Sequence, residues 1–596
     1  MKVGARTLWL ACALALPGAV AAQRGAPAEF TRQLILVAPF ESPGGDSRLA
    51  RRVAARTRVA LGRRVDSRST LVFRNDSSEV ILERSGFEPG VPLDEKDLVI
   101  LARRLRTDEL IVGRLTPGAN GRFTLSSELV LVRDPRRRQP LPVIRSADPS
   151  AAADTLVLHV LKARTQMTGL RRCENRAREG RAADGLREAE IALKGYPRST
   201  LLRLCMAEVL AATSAMADSV RKLAEWVIEA DSTNVIATVL RAMASETAGA
   251  PDQAAQSWAR ALALRGDSLE LAVAGIEQLL RLERPLLAAE ALERIIPLHQ
   301  GDNWLRRQLF RSQYELARWG AAAALGDSLE EGDAEFRSDS AYAVRHVDVL
   351  RMVGDTLGAV AKSARSVRQH PGDARLYLQY VQLVGSESSL ALLRGLARFP
   401  REPKLRVIAA QAARANGDRA AERAALALAV VEDPALASVL LRIAELWFLD
   451  GQADSALATL QRAPRTGSGA STLRNYAMGR GVQLLRAAAD TMPETYRLPR
   501  AIIALADSVE SREDTRSLLA AVLLQGARSE LVVAARGNAC DGVRRADAEL
   551  REVERVLVIG IGGGEAAAEL LEAQAGLRTA VDESLKRACV TTPPAR

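Results

Sequence analysis

Three glycine-to-proline pairs share one spacing in this chain: Gly180 to Pro197, Gly354 to Pro371 and Gly417 to Pro434 are each 17 residues apart. Glycine admits the left-handed backbone that turns one helix into the next, and proline ends a helix because it has no N–H to continue the ladder. Small side chains recur at fixed offsets after the turn, as Ala254 and Ala261 after Gly249, Ala359 and Ser366 after Gly354, and Ala456 and Ala463 after Gly451. They let two helices approach closely. Turn clusters near 197, 232, 267, 302, 339, 372, 401 and 434 mark a period of about 34 residues. A chain built this way buries each apolar face only against its neighbours, so it stacks into a solenoid.

In period, turn glycine, paired small residues and closing proline, residues 166–469 resemble the tetratricopeptide repeat (TPR) family. Trp258 falls where that family places a large aromatic in the second helix, while Thr238 and Arg406 stand at first-helix aromatic positions. The resemblance implies a concave face lined by the first helix of each repeat. Groove-facing positions then fall on Arg345, Asp348 and Arg351, on Lys404, Gln411 and Arg414, and on Arg442, Glu445 and Phe448. Their spacing of three or seven puts each trio on one helix face.

Ahead of the repeats, Gln33–Phe40 is a short apolar run closed by a Ser-Pro-Gly-Gly turn. It reads as a buried strand. Residues 47–64 carry helical spacing with Asp46 as N-cap, 70–73 read as a second strand, and a helix opens at Asp94. Glu109-Leu-Ile-Val-Gly, a turn at 118–121 and Phe123–Val132 read as an antiparallel hairpin, making a mixed α/β unit. The strand ending Ala38-Pro39-Phe40 and the two hairpin segments resemble the TolB-like amino-terminal domain found ahead of bacterial repeat regions. That likeness implies a periplasmic assembly or sensing module.

Lys2 and Arg6 precede the apolar run Thr7–Val20, and Ala19-Val-Ala-Ala22 follows. This is the pattern of a cleaved secretory leader, with periplasmic export. No later run reaches the roughly 20 apolar residues of a membrane span, so no transmembrane segment is expected in the mature chain. Cleavage takes the net charge from +11 to about +9. Arginines alternate with Asp and Glu along the helices instead of forming a basic arm, which argues against nucleic acid.

Four histidines in 596 residues leave little room for metal or histidine chemistry. Gly-Asp-Ser-Leu at 266–269 and 326–329 matches a hydrolase nucleophile block, but Asp and Ser are preferred N-caps and both strings are read as caps. Val556–Gly564 looks like a strand and glycine-rich nucleotide loop, yet too few residues follow to complete such a fold. Two helices, 541–558 and 565–587, turned by the glycines, fit better. Loss of Cys12 with the leader leaves four cysteines. Cys540 and Cys589 lie at the outer ends of that hairpin, and Cys173 and Cys205 lie nearly one repeat apart on successive first helices. Both pairs are expected as disulfides.

The resulting expectation is a mostly α chain: a leader (1–22), a small α/β domain (30–150), a TPR-like array (151–470) and a carboxy-terminal helical cap (471–596) with a disulfide-closed hairpin. Functionally it reads as an exported, non-enzymatic scaffold, without cofactor or metal, binding protein or peptide partners in the groove for envelope assembly. The alternative is an envelope sensor whose α/β domain binds a small ligand while the repeats recruit partners. The sequence leaves oligomeric state open.

Overall fold

The computed structural model describes residues 32–43, 46–88, 91–212, 216–385, 389–488, 492–537, 539–561 and 565–589. The leader at 1–22 and Gly562–Gly564 lie outside the described residues. Two compact units divide between Ala317 and Arg318.

The first unit opens with β1 (Gln33–Val37), α1 (Ser47–Arg64), β2 (Thr70–Val72), α2 (Asn75–Arg84), α3 (Glu95–Arg104), β3 (Glu109–Pro117), β4 (Phe123–Leu131), β5 (Arg138–Pro140) and β6 (Ile144–Ser146). Strand order is β2-β1-β3-β4-β5, with β6 also on β4; β1 runs parallel to β2 and β3, and the rest is antiparallel. The mixed sheet is the one expected, with α2, β5 and β6 added.

Period-two alternation assigns the two faces. Ile35, Val37, Ile111 and Leu129 bury against α1, while Leu36, Leu110 and Val130 bury against Leu98 and Ala102 of α3. Asp46 caps α1 by accepting from the Arg48 N–H at 2.8 Å.

Helix α4 (Pro149–Arg164), which spans the expected boundary at 150, packs against α1. Its N-cap Asp148 accepts from Ser150 and Ala151, and Leu156, Val157 and Val160 are fully buried in the core shared with α1. That core continues into the helices Met167–Arg178, Ala182–Gly195 and Thr200–Ala212. Cys173 and Cys205 are bonded between the first helices of successive pairs, with Cα atoms 6.6 Å apart.

Helix pairs follow through the rest of the unit, and their turns repeat one geometry. At Gly249 (φ 73°) the N–H reaches Glu246 O, and Ala250 N–H reaches Ser245 O, the crossed pair that closes a helix in the Schellman manner. Glu283 (φ 57°) holds the same position and the same two bonds without being glycine, and Ala317 (φ 55°) also takes the left-handed conformation. A search keyed on glycine misses both turns. Ala254 and Ala261 are buried at the helix contact beside Trp258, and Ser268 caps the next helix, as its string predicts.

In the second unit the pairs are Ser340–Met352 with Thr356–Gln369, Ala374–Val384 with Ser389–Arg398, Pro403–Ala415 with Arg419–Glu432, and Ala437–Leu449 with Ala453–Gln461. The chain is therefore a solenoid of TPR-like repeats preceded by a small α/β domain. The second Gly-Asp-Ser-Leu string is not a cap: it lies inside helix Trp319–Gly332. An alanine- and leucine-rich run carries that helix through Gly326, which together with Leu329 is buried in the packing, and Asp327 is held by His346 Nε2 at 3.1 Å.

Five longer helices close the unit. Among them Glu513–Gly537 contains a stretch of mean hydropathy 1.5 and is, by length and composition alone, long and apolar enough to cross a membrane, a length of apolar run not expected after the leader. Here Leu519, Val522, Leu523 and Ala534 are buried in a core with Val543, Leu550 and Val581, so its apolar surface is used for packing. Val556 sits in helix Cys540–Ile559, not in a strand. Cys540 and Cys589 are bonded across the hairpin, Cα to Cα 5.2 Å.

Candidate functional site

The nine groove positions fall on three first helices of the second unit, and their neighbours treat them differently. On Ser340–Met352, Arg345 lies over the Tyr342 ring at 5.9 Å, and Arg351 reaches Asp348 at 3.7 Å while remaining 58% exposed.

On Pro403–Ala415 the N-cap is Glu402 and proline occupies the first turn, where its missing N–H costs nothing. Leu405 and Ala410 bury one side of this helix. Lys404, Gln411 and Arg414 are exposed, and their side chains make no hydrogen bond or ion pair among the described residues. Seven and then three residues apart, they share one face.

On Ala437–Leu449 the trio is engaged internally. Arg442 donates to Glu422 from Nε (2.8 Å) and Nη2 (3.1 Å), and to Glu445 from Nη1 at 2.7 Å. Those bonds, from Glu422 above all, hold its guanidinium pKa above the ordinary arginine value. Phe448 packs partly buried, with the Arg480 guanidinium 4.4 Å from its ring centroid. Arg442 and Phe448 thus hold the array together, leaving Glu445 exposed beside them.

Sequence reasoning missed Glu422 and Arg480. A signal for Glu422 exists: counted from the turn glycine, it occupies the place that Ala254, Ala359 and Ala456 fill in other repeats. A carboxylate buried at a small-residue position requires a cation, and Arg442 supplies it.

The histidines are bound up in structure. His299 Nε2 lies 2.7 Å from Gly266 O, and His370 Nε2 lies 3.1 Å from Arg337 O, each tying one helix-pair end to the previous one. His346 is buried between Asp327 and the Lys362–Glu330 ion pair; burial, then the Lys362 charge, holds its imidazole below the usual value. Among the described residues no group of three or more His, Cys, Asp or Glu side chains could hold a metal ion.

No family model matches this chain, and no curated protein matches it. Among solved structures, it is similar to Naa15/Naa10 bound to HypK-THB at 12% identity over 71% of this chain and 73% of that one, with a TM-score of 0.41. A tetratricopeptide repeat protein from Parabacteroides merdae matches at 11% identity over 45% of this chain and 99% of its own (TM-score 0.24). Yeast Tom70 matches at 12% over 72% and 97% (TM-score 0.26). Function has to be read from this chain's own residues.

Proposed function

We propose that this chain is an exported, non-enzymatic scaffold that captures protein or peptide partners along the first-helix face of its repeats, with a TolB-like module at its amino terminus. One observation carries the reading: Lys404, Gln411 and Arg414 form an exposed, uncompensated face on a rigid helix. Other arginines nearby are spent on internal partners, Arg442 of the next repeat on Glu422 and Arg423 of the same repeat on Asp450. Exposed cations at first-helix positions suit a partner rich in carboxylates, since solenoid grooves bind extended or helical peptides and charge-assisted bonds add specificity. The leader pattern at 1–22 supports a periplasmic location and a role in envelope assembly.

The test is comparative capture from an envelope fraction with the wild type and with Lys404→Glu/Arg414→Glu. Both side chains are exposed, so circular dichroism should be unchanged. Loss of a partner retained by the wild type supports the reading. Retention of every partner at physiological salt removes this face from consideration.

A further inference from the structure

A cavity of about 500 Å³ opens in the first unit where the sheet meets the first repeat helix. Its walls come from the starts of β1 and β3, the end of β4, the C-terminal end of α3 and helix Met167–Arg178. Its volume is that of a small-molecule pocket. Five arginines line it. Arg133 is spent on Glu174, with Nη2 at 2.7 and 2.6 Å from the two carboxylate oxygens. The side chains of Arg32, Arg103, Arg106 and Arg171 make no hydrogen bond or ion pair among the described residues. Asp108, also in the wall, already accepts from the Leu34 N–H at 2.8 Å.

We propose that this cavity binds a small polyanion, a phosphorylated or polycarboxylate metabolite.

The reading follows from the arginines. Each alone is an ordinary exposed side chain, and Arg103 also suits the negative end of its own helix. What helix-end electrostatics does not explain is convergence from separate elements, with Arg32 before β1, Arg103 and Arg106 at the end of α3, and Arg171 on the first repeat, around one concave space. Like charges gathered over a low-dielectric floor focus a positive potential, and Leu170, Met167 and Val132 supply that floor. Guanidinium groups match phosphate and carboxylate geometry with paired N–H donors.

Glu109, also in the wall, is 2% exposed and its Oε2 accepts from Arg164 Nε at 2.8 Å, so its charge is met from within the protein. Because the walls belong both to the sheet and to the first repeat, occupancy would bear directly on how the α/β module holds the array. This site is separate from the Lys404–Arg414 face and stands or falls without it.

The test is calorimetric titration of the full chain and its variants with inorganic pyrophosphate at matched ionic strength. Pyrophosphate should bind saturably at one site, and Arg103→Gln/Arg171→Gln should weaken it about tenfold or more, the loss of two charge-assisted contacts. Arg401→Gln, an 87% exposed arginine of the second unit, should leave it unchanged. Unsaturable binding, or equal weakening by Arg401→Gln, would overturn the site.

Discussion

The guanidinium of Arg442 grips the carboxylate of Glu422 across two helix pairs, at 2.8 Å through Nε and 3.1 Å through Nη2. The Glu422 side chain is 5% exposed, so the pair neutralises a charge that water does not reach. Arg442→Ala should therefore destabilise the second unit by about 2 kcal/mol, below the roughly 3–5 kcal/mol of a fully buried pair because Arg442 itself meets some solvent. Lys404→Ala, on an open face, should stay within about 0.5 kcal/mol. Urea midpoints of the two variants measure the contrast, and equal midpoints would refute it.

Glu283 offers the opposite sign. A residue with a Cβ pays roughly 1–2 kcal/mol in the left-handed region, and glycine returns part of that gain as unfolded-state entropy. Glu283→Gly should stabilise by about 0.5–1 kcal/mol, read as a raised melting temperature. Gly417→Ala, at the same turn position with φ 73°, should lower it.

The Cys540–Cys589 bond closes a loop of 49 residues, for which chain entropy suggests up to about 4 kcal/mol. Cys540→Ser/Cys589→Ser should lower the melting temperature of the carboxy-terminal helices and expose Glu565–Ala588 to proteolysis first. Peptide mapping without reduction should recover the two cysteines in one linked fragment; free thiols there would contradict the bridge.

His346 makes stability pH-dependent in a stated direction. Its imidazole, facing Lys362, Asp327 and Glu330, is held below 6.5 chiefly by burial. The unfolded chain therefore takes up a proton near pH 6.5 that the folded chain resists, so stability present above that pH is lost as pH falls. The loss is at most about 1.4 kcal/mol per pH unit from this one proton. Melting curves between pH 7.5 and 5.5 should show it, and His346→Phe should flatten the slope.

Local chemistry made much of the fold legible in advance. Glycine and proline at 180, 197, 354, 371, 417 and 434 state where helices turn and stop, and the apolar run from Gln33 and the alternation in Phe123–Leu131 state which segments are strands. Such signals need only a few neighbouring residues, because backbone dihedrals and amphipathic periods are short-range properties. The same locality hid the turns at Glu283 and Ala317, where packing imposes a conformation that the residue type disfavours. The pairing of Cys540 with Cys589 was legible because one hairpin relates them.

The face at Lys404, Gln411 and Arg414 could be named from spacing, but not distinguished from the one at Arg442, since both are charged helix surfaces in the text. Only packing between helices decides which cation meets a buried carboxylate and which is left to solvent. Likewise Arg32, Arg103, Arg106 and Arg171 are distant in sequence and become one cavity wall only when α3 and the first repeat each pack against the sheet. The sequence alone determined which segments become helices and strands; tertiary packing decided which charges remain uncompensated, because neutralisation depends on contacts between elements far apart along the chain.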